Sequence, residues 1–99
     1  MAAVTDTIEG TIGTGPSALW FHYDLHADVL YIRVASERDA VTSCEESPDG
    51  MLVLKREPDG RPVGLTVIDW WKRFGTGDLP ESLRELERSI EPWGERLAA

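Results

Sequence analysis

Between Leu19 and Val34 the chain carries two alternating runs on either side of an acidic turn, and that spacing leaves few folds open. Leu19-Trp20-Phe21-His22-Tyr23 puts Leu19, Phe21 and Tyr23 on one face, by the period of two of a β-strand. Val29 to Val34 is β-branched and aromatic, with Leu30, Ile32 and Val34 facing the core and Val29, Tyr31 and Arg33 on the other side. Asp24 to Asp28 reads as the turn, because short Asp side chains hydrogen-bond to backbone amides just ahead of them. Two strands joined by so short a connection must be antiparallel. The Leu30-Tyr31-Ile32-Arg33 strand is expected at the centre of the sheet.

The rest of the chain extends this pattern. Ala35 to Asp39 is polar and reads as a loop, and Val41 to Glu45 as a short, more polar strand. Ser47-Pro48-Asp49-Gly50 is a turn, with Pro fixing φ and Gly free to adopt a left-handed backbone. Met51 to Glu57 and Pro62 to Asp69 are strands joined across Pro58-Asp59-Gly60-Arg61, and Asp-Gly between two such runs marks a hairpin. Val63, Leu65 and Val67 share one face. Asp78-Leu79-Pro80-Glu81 has the marks of a helix start. Leu79, Leu83, Leu86 and Ile90 then form one apolar stripe on a charged helix over about 79–91. Pro92 is expected to end it, with Trp93 and Leu97 adding a final turn over the same core. Residues 1–18 hold only Ile8 and Ile12 as large apolar residues between Val4 and Leu19, and read as a flexible arm or a weak edge strand. The expected fold is α+β: a single domain over 19–99, with a four- to five-stranded antiparallel meander covered by the C-terminal amphipathic helix.

Composition narrows the function classes. The 99 residues are one domain's worth of chain, 41% hydrophobic and 28% charged, as in ordinary soluble proteins. Eighteen acids against ten bases give a net charge of −8, and such a surface repels phosphate backbones and anionic lipid. The bases are dispersed, so no nucleic-acid or membrane partner is expected. There is no apolar run of membrane-spanning length and no basic-then-apolar leader at the start. A single cysteine, Cys44, fits a reducing compartment, and the expected location is cytoplasmic.

The residues Tyr23-Asp24, Ala27-Asp28, Leu30-Tyr31-Ile32-Arg33, Asp49-Gly50, Asp59-Gly60-Arg61, Val63-Gly64 and Ile68-Asp69 together resemble the YuzE-like family of small prokaryotic proteins, domain of unknown function 2283. The resemblance runs from about Trp20 to Phe74. It implies an α+β domain on an antiparallel sheet, with no established activity and no agreed catalytic residues. Some members look like small partners encoded beside toxins, which implies an antitoxin-like role. Trp70 and Trp71 before Lys72-Arg73 depart from the family's small residues, and the helix and the N-terminal arm lie outside the resemblance.

Three groups of residues carry candidate chemistry. His22, Asp24, His26 and Asp28 alternate over seven positions and are the ligand types of zinc, manganese or iron. Against this, aspartates that cap the hairpin and histidines that face solvent explain the same residues, so no metal is assigned. Asp28, Tyr31 and Arg33 could form a polar group on a sheet edge, with Arg33 pairing an acid such as Glu45 or Asp69. Trp70, Trp71 and Phe74 put three large aromatics in five residues. A small domain has little room for them, so one is expected inside and one at a subunit or partner contact.

Cys44 lies among Ser43, Glu45 and Glu46, whose carboxylates disfavour a thiolate, and serine-hydrolase, Walker and dinucleotide motifs are absent. The expectation is therefore a non-catalytic, cofactor-free protein acting through protein contacts, a homo-oligomer with a dimer favoured, with Trp70, Trp71, Phe74, Tyr31 and Arg33 at the interface. Two alternatives stand beside it: an antitoxin-like binder of a small basic toxin, which the charge permits, and a metal-dependent enzyme at the turn 22–28.

Overall fold

Val63 to Val67 is buried at every position, and that run sets the sheet's topology. In the computed structural model, which describes residues 7–15 and 18–98, it forms most of strand β6 (Pro62–Ile68). The other strands are β1 (Thr7–Ile12), β2 (Leu19–Asp24), β3 (Val29–Val34), β4 (Thr42–Glu46) and β5 (Leu52–Arg56). All pair antiparallel, in the order β1-β2-β3-β6-β5-β4.

The α+β class and the covering helix are as expected; the sheet differs in two ways. It has six strands rather than four or five, because Thr7–Ile12 pairs along β2 and buries Ile8 and Ile12 against the core. Residues 1–6 and 16–17 of the expected arm lie outside the described residues. Nor is the sheet a simple meander. The chain leaves β3 through a 3-10 turn (Ala35–Glu37), starts β4 at the far edge, and returns through β5 to place β6 beside β3. Burial explains the order. β6 is covered on both faces and belongs inside the sheet, whereas Thr42–Glu46 is polar and tolerates an edge.

Helix α1 (Trp70–Phe74) follows β6 directly, and α2 (Leu83–Ala98) crosses the same face of the sheet. The core between them holds Phe21, Tyr23, Leu30, Ile32, Leu65, Val67 and Trp70 under Leu86, Ile90 and Leu97. α2 starts four residues later than the sequence pattern suggests. Ser82 accepts the Glu85 N–H on its hydroxyl at 3.2 Å, and the Glu85 carboxylate reaches back to the Glu81 N–H at 3.1 Å, a capping-box arrangement that outcompetes the Pro80 start. Leu83 then lies 49% exposed, off the apolar stripe.

Pro92 does not end the helix. It sits exposed inside it, and the helix continues because Gly94 and Leu97 beyond it are packed inward. A Cβ on Gly94 would fall 1.9 Å from Leu19 Cδ1, so helix and sheet meet there at glycine's closest approach. No helix among the described residues is long and apolar enough to cross a membrane.

Candidate protein-contact site

β6 turns into α1 through one residue, Asp69, whose backbone is left-handed at φ 57°. Asp69 makes no side-chain cap, so the free N–H groups of the first helical turn need another acceptor. Asp28 supplies it from the end of the first hairpin. Its Oδ1 accepts the Trp71 N–H at 2.9 Å, its Oδ2 the Lys72 N–H at 3.0 Å, and its backbone carbonyl the Trp70 N–H at 3.1 Å. Tyr23 donates its hydroxyl to Asp28 Oδ1 at 2.6 Å. Asp28 is itself left-handed at φ 57°, a conformation aspartate tolerates better than most residues.

Burial pushes the Asp28 carboxyl up, but the Tyr23 hydroxyl, the Lys72 and Trp71 N–H groups and the Lys72 charge more than offset it and hold it below its usual range. The Tyr23 phenol moves up, first through burial, then through its bond to Asp28 and the charges of Asp28 and Asp24. Asp28 is thus the N-terminal cap of α1, not a cap of its own hairpin. Asp24 does that work, accepting the Ala27 N–H at 3.0 Å. The signal for the helix cap was present in Ala27-Asp28 and Ile68-Asp69, two aspartates each at the junction of a strand. The bond from Asp28 to Trp71 was hidden by 43 residues of separation.

The four candidate metal ligands therefore diverge. Asp24 faces its turn, Asp28 faces α1, and His26 is exposed. His22 lies on the face of β2 away from the core, 3.3 Å from Glu9 and edge-on to Tyr31 with ring centres 5.7 Å apart. Among the described residues no three His, Cys, Asp or Glu side chains could hold a metal ion. Cys44 is exposed on β4.

Arg33 is also placed differently from expectation. β3 is a central strand, so Arg33 is not on an edge, and it pairs neither Glu45 nor Asp69. Its guanidinium donates to the carbonyls of Arg38 and Ala40 and, at 2.9 Å, to Thr42 Oγ1, tying down the crossing loop 35–41. Its stem and Leu54 close over Gly64, where a Cβ would meet Arg33 Cγ at 2.9 Å and Leu54 Cδ1 at 2.8 Å. Gly64 is a contact residue that periodicity could not single out.

Both helices cover one face of the sheet; no helix covers the other, although Gly64 and Thr66 at its centre are buried there by the strands themselves. Strand register lines up His22, Tyr31, Thr66 and Leu52 in one row across four strands, with Val29 and Ile68 beside it. Tyr31 is 39% and Ile68 46% exposed. The cations around this face are already committed. Arg38 stacks on Trp20 at 4.5 Å and approaches Glu9, and Arg56 binds Glu37 and Asp59.

The aromatic cluster is largely spent inside the protein. Trp70 is 2% exposed and meets Tyr23 edge-on at 5.1 Å, so it cannot anchor a partner. Trp71 is half-buried, with its ring N–H on the Gly77 carbonyl at 2.8 Å. Phe74 is exposed but rests edge-on against Trp93 at 4.7 Å. Trp71, Phe74, Ser89 and Trp93 border a cleft of about 210 Å³ between the helices.

Fold and site define a class: a small α+β protein whose antiparallel sheet is roofed by helices on one side only. More particularly, a family model described as a protein of unknown function, DUF2283, matches residues 20–70, and the chain belongs to that family. The matched segment ends at the first residue of α1, so it contains Tyr23, Asp28 and Asp69 but not α2. No curated protein and no solved structure matches the chain.

Proposed function

We propose that this protein is a non-catalytic contact domain that docks another protein on its open sheet face. The carrying observation is the pair Tyr31 and Ile68, 39% and 46% exposed on a face no helix covers, with half-buried His22, Val29 and Leu52 around them. Exposed aromatic and aliphatic groups of this kind anchor protein interfaces. Arg38 and Arg56 beside this face are held in internal pairs and the chain's net charge is −8, so the complementary partner presents apolar groups inside a basic rim. That chemistry agrees with the antitoxin-like reading. The non-catalytic part is supported by Asp28 and Tyr23, an acid and a phenol that are committed to each other and to α1.

The test is quantitative capture from native lysate by wild type, Tyr31→Glu and Ile68→Glu, then reconstitution of the enriched protein from purified components. A basic partner that binds wild type and is lost with both variants, while circular dichroism stays unchanged, supports the docking face. Equal binding by all three overturns it.

A further inference from the structure

We propose that a second copy of this chain pairs along strand β1, so that two sheets join edge to edge into one. Among the described residues no strand pairs with the outer edge of Thr7–Ile12, and the strand carries no proline, lysine or bulge of the sort that blunts an edge. Parity restricts how it can pair with itself. Ile8, Gly10 and Ile12 lie on the core side, opposite Tyr23, Phe21 and Leu19, while Thr7, Glu9 and Thr11 lie on the open side. An antiparallel copy must set core side against core side, and outward-pointing N–H and C=O groups against their like. A register centred on Glu9 would oppose two carboxylates. Centring on Thr11 leaves only three residues paired within the strand. Gly10 facing its own copy satisfies both conditions. Ile8 then neighbours Ile12 of the second copy, extending the core layer, and Glu9 neighbours its Thr11.

Helix α2 supplies independent support for the same partner. A groove of about 320 Å³ runs between Thr11–Gly13 and the stripe Arg84, Glu87, Arg88 and Glu91. None of these four has an ion-pair partner among the described residues, although both signs are present. Laid antiparallel on itself, the stripe sets Arg84 against Glu91 and Glu87 against Arg88, and each match occurs twice, as a two-fold interface demands. The rotation that runs β1 antiparallel to its copy also runs α2 antiparallel to its copy, on the same face. The other sheet edge, β4, offers Thr, Ser, Cys and two Glu, with no apolar residue to extend the core. The pairing lays two open faces side by side, and it stands whether or not those faces dock a partner.

Sedimentation velocity of the full chain over a concentration series tests it, with circular dichroism as the folding control. Thr11 is exposed, so its charge can be changed without touching the core. Thr11→Glu places a carboxylate against Glu9 twice and should raise the dimer Kd about tenfold or more, whereas Thr11→Lys should lower it. Arg84→Glu with Arg88→Glu should weaken the dimer, and adding Glu87→Arg with Glu91→Arg should restore it. Tyr31→Glu should leave the equilibrium unmoved, which separates this edge from the docking face. A monomer at millimolar concentration overturns the proposal. So does a dimer that responds alike to Thr11→Glu and Thr11→Lys, one that the four-residue swap fails to restore, or one broken by Ser43→Glu instead.

Discussion

Tyr23 donates its hydroxyl to the Asp28 carboxylate at 2.6 Å, and the same oxygen accepts the N–H of Trp71 at 2.9 Å. One carboxylate thus joins β2, the end of the first hairpin and the start of α1. The helix-facing bonds are charge-assisted, and the helix end is where a negative charge is favoured.

Replacing Asp28 with Asn or Ala should lower stability by about 1–3 kcal/mol near neutral pH, read as a shift in the urea midpoint. The folded-state pKa lies below the unfolded value of about 3.9, so the carboxylate's contribution is fully present above that value. It is lost as pH falls through the folded pKa. The gap between wild type and Asp28→Asn should therefore hold constant between about pH 5 and 7 and narrow below about pH 4. A gap that persists unchanged in acid would mean the charge is not what caps α1.

Tyr23→Phe should cost about 1 kcal/mol, the net worth of one hydrogen bond. Because folding raises the phenol pKa, the hydroxyl's contribution is fully present below the unfolded value of about 10 and lost as pH rises above it. Wild type should lose stability in base faster than Tyr23→Phe. The phenolate absorbance that distinguishes the two proteins should appear only when the wild type unfolds. Its appearance in the folded protein near pH 10 would contradict the buried bond.

Arg33→Ala should free the loop 35–41 and cost about 2 kcal/mol, since a charged donor to backbone carbonyls is lost. Amide exchange should accelerate in that loop and in β4, with β2 and β3 unaffected. Arg33→Lys should recover little, because an ammonium on a flexible stem cannot reproduce the fork that spans three acceptors. Uniform acceleration across the sheet would point to a general packing role instead.

Pro92→Ala should raise stability by about 2 kcal/mol, seen as a higher Tm. It restores a helical N–H inside α2, less the entropy that proline removes from the unfolded chain. A lower Tm would mean that the proline-induced geometry is what seats Gly94 and Leu97.

The first hairpin was legible from Leu19 to Val34 because a strand's period of two and a short turn are local properties. So were the β5–β6 hairpin, announced by Asp59-Gly60, and the apolar stripe through Leu86 and Ile90. The helix ends were less legible. Ser82-x-x-Glu85 competed with Asp78-x-Pro80, and only the packing of Gly94 and Leu97 carries the helix past Pro92.

His22, Asp24, His26 and Asp28 show where local pattern stops. Read along the chain they are four potential ligands in seven residues; in space three turn to different neighbours and His26 to the surface. Trp70 and Trp71 are adjacent, yet one is sealed against Tyr23 and the other is half-bare, which depends on what lies opposite rather than on their own chemistry.

By itself, then, the sequence determined the α+β class, the hairpins, the apolar faces and the family, all of which follow from residue types at short spacing. Tertiary structure decided the strand order, the capping of α1 by Asp28 and which sheet face no helix covers. Those depend on contacts between residues tens of positions apart, where burial and unpaired backbone groups are settled only once the whole sheet has assembled.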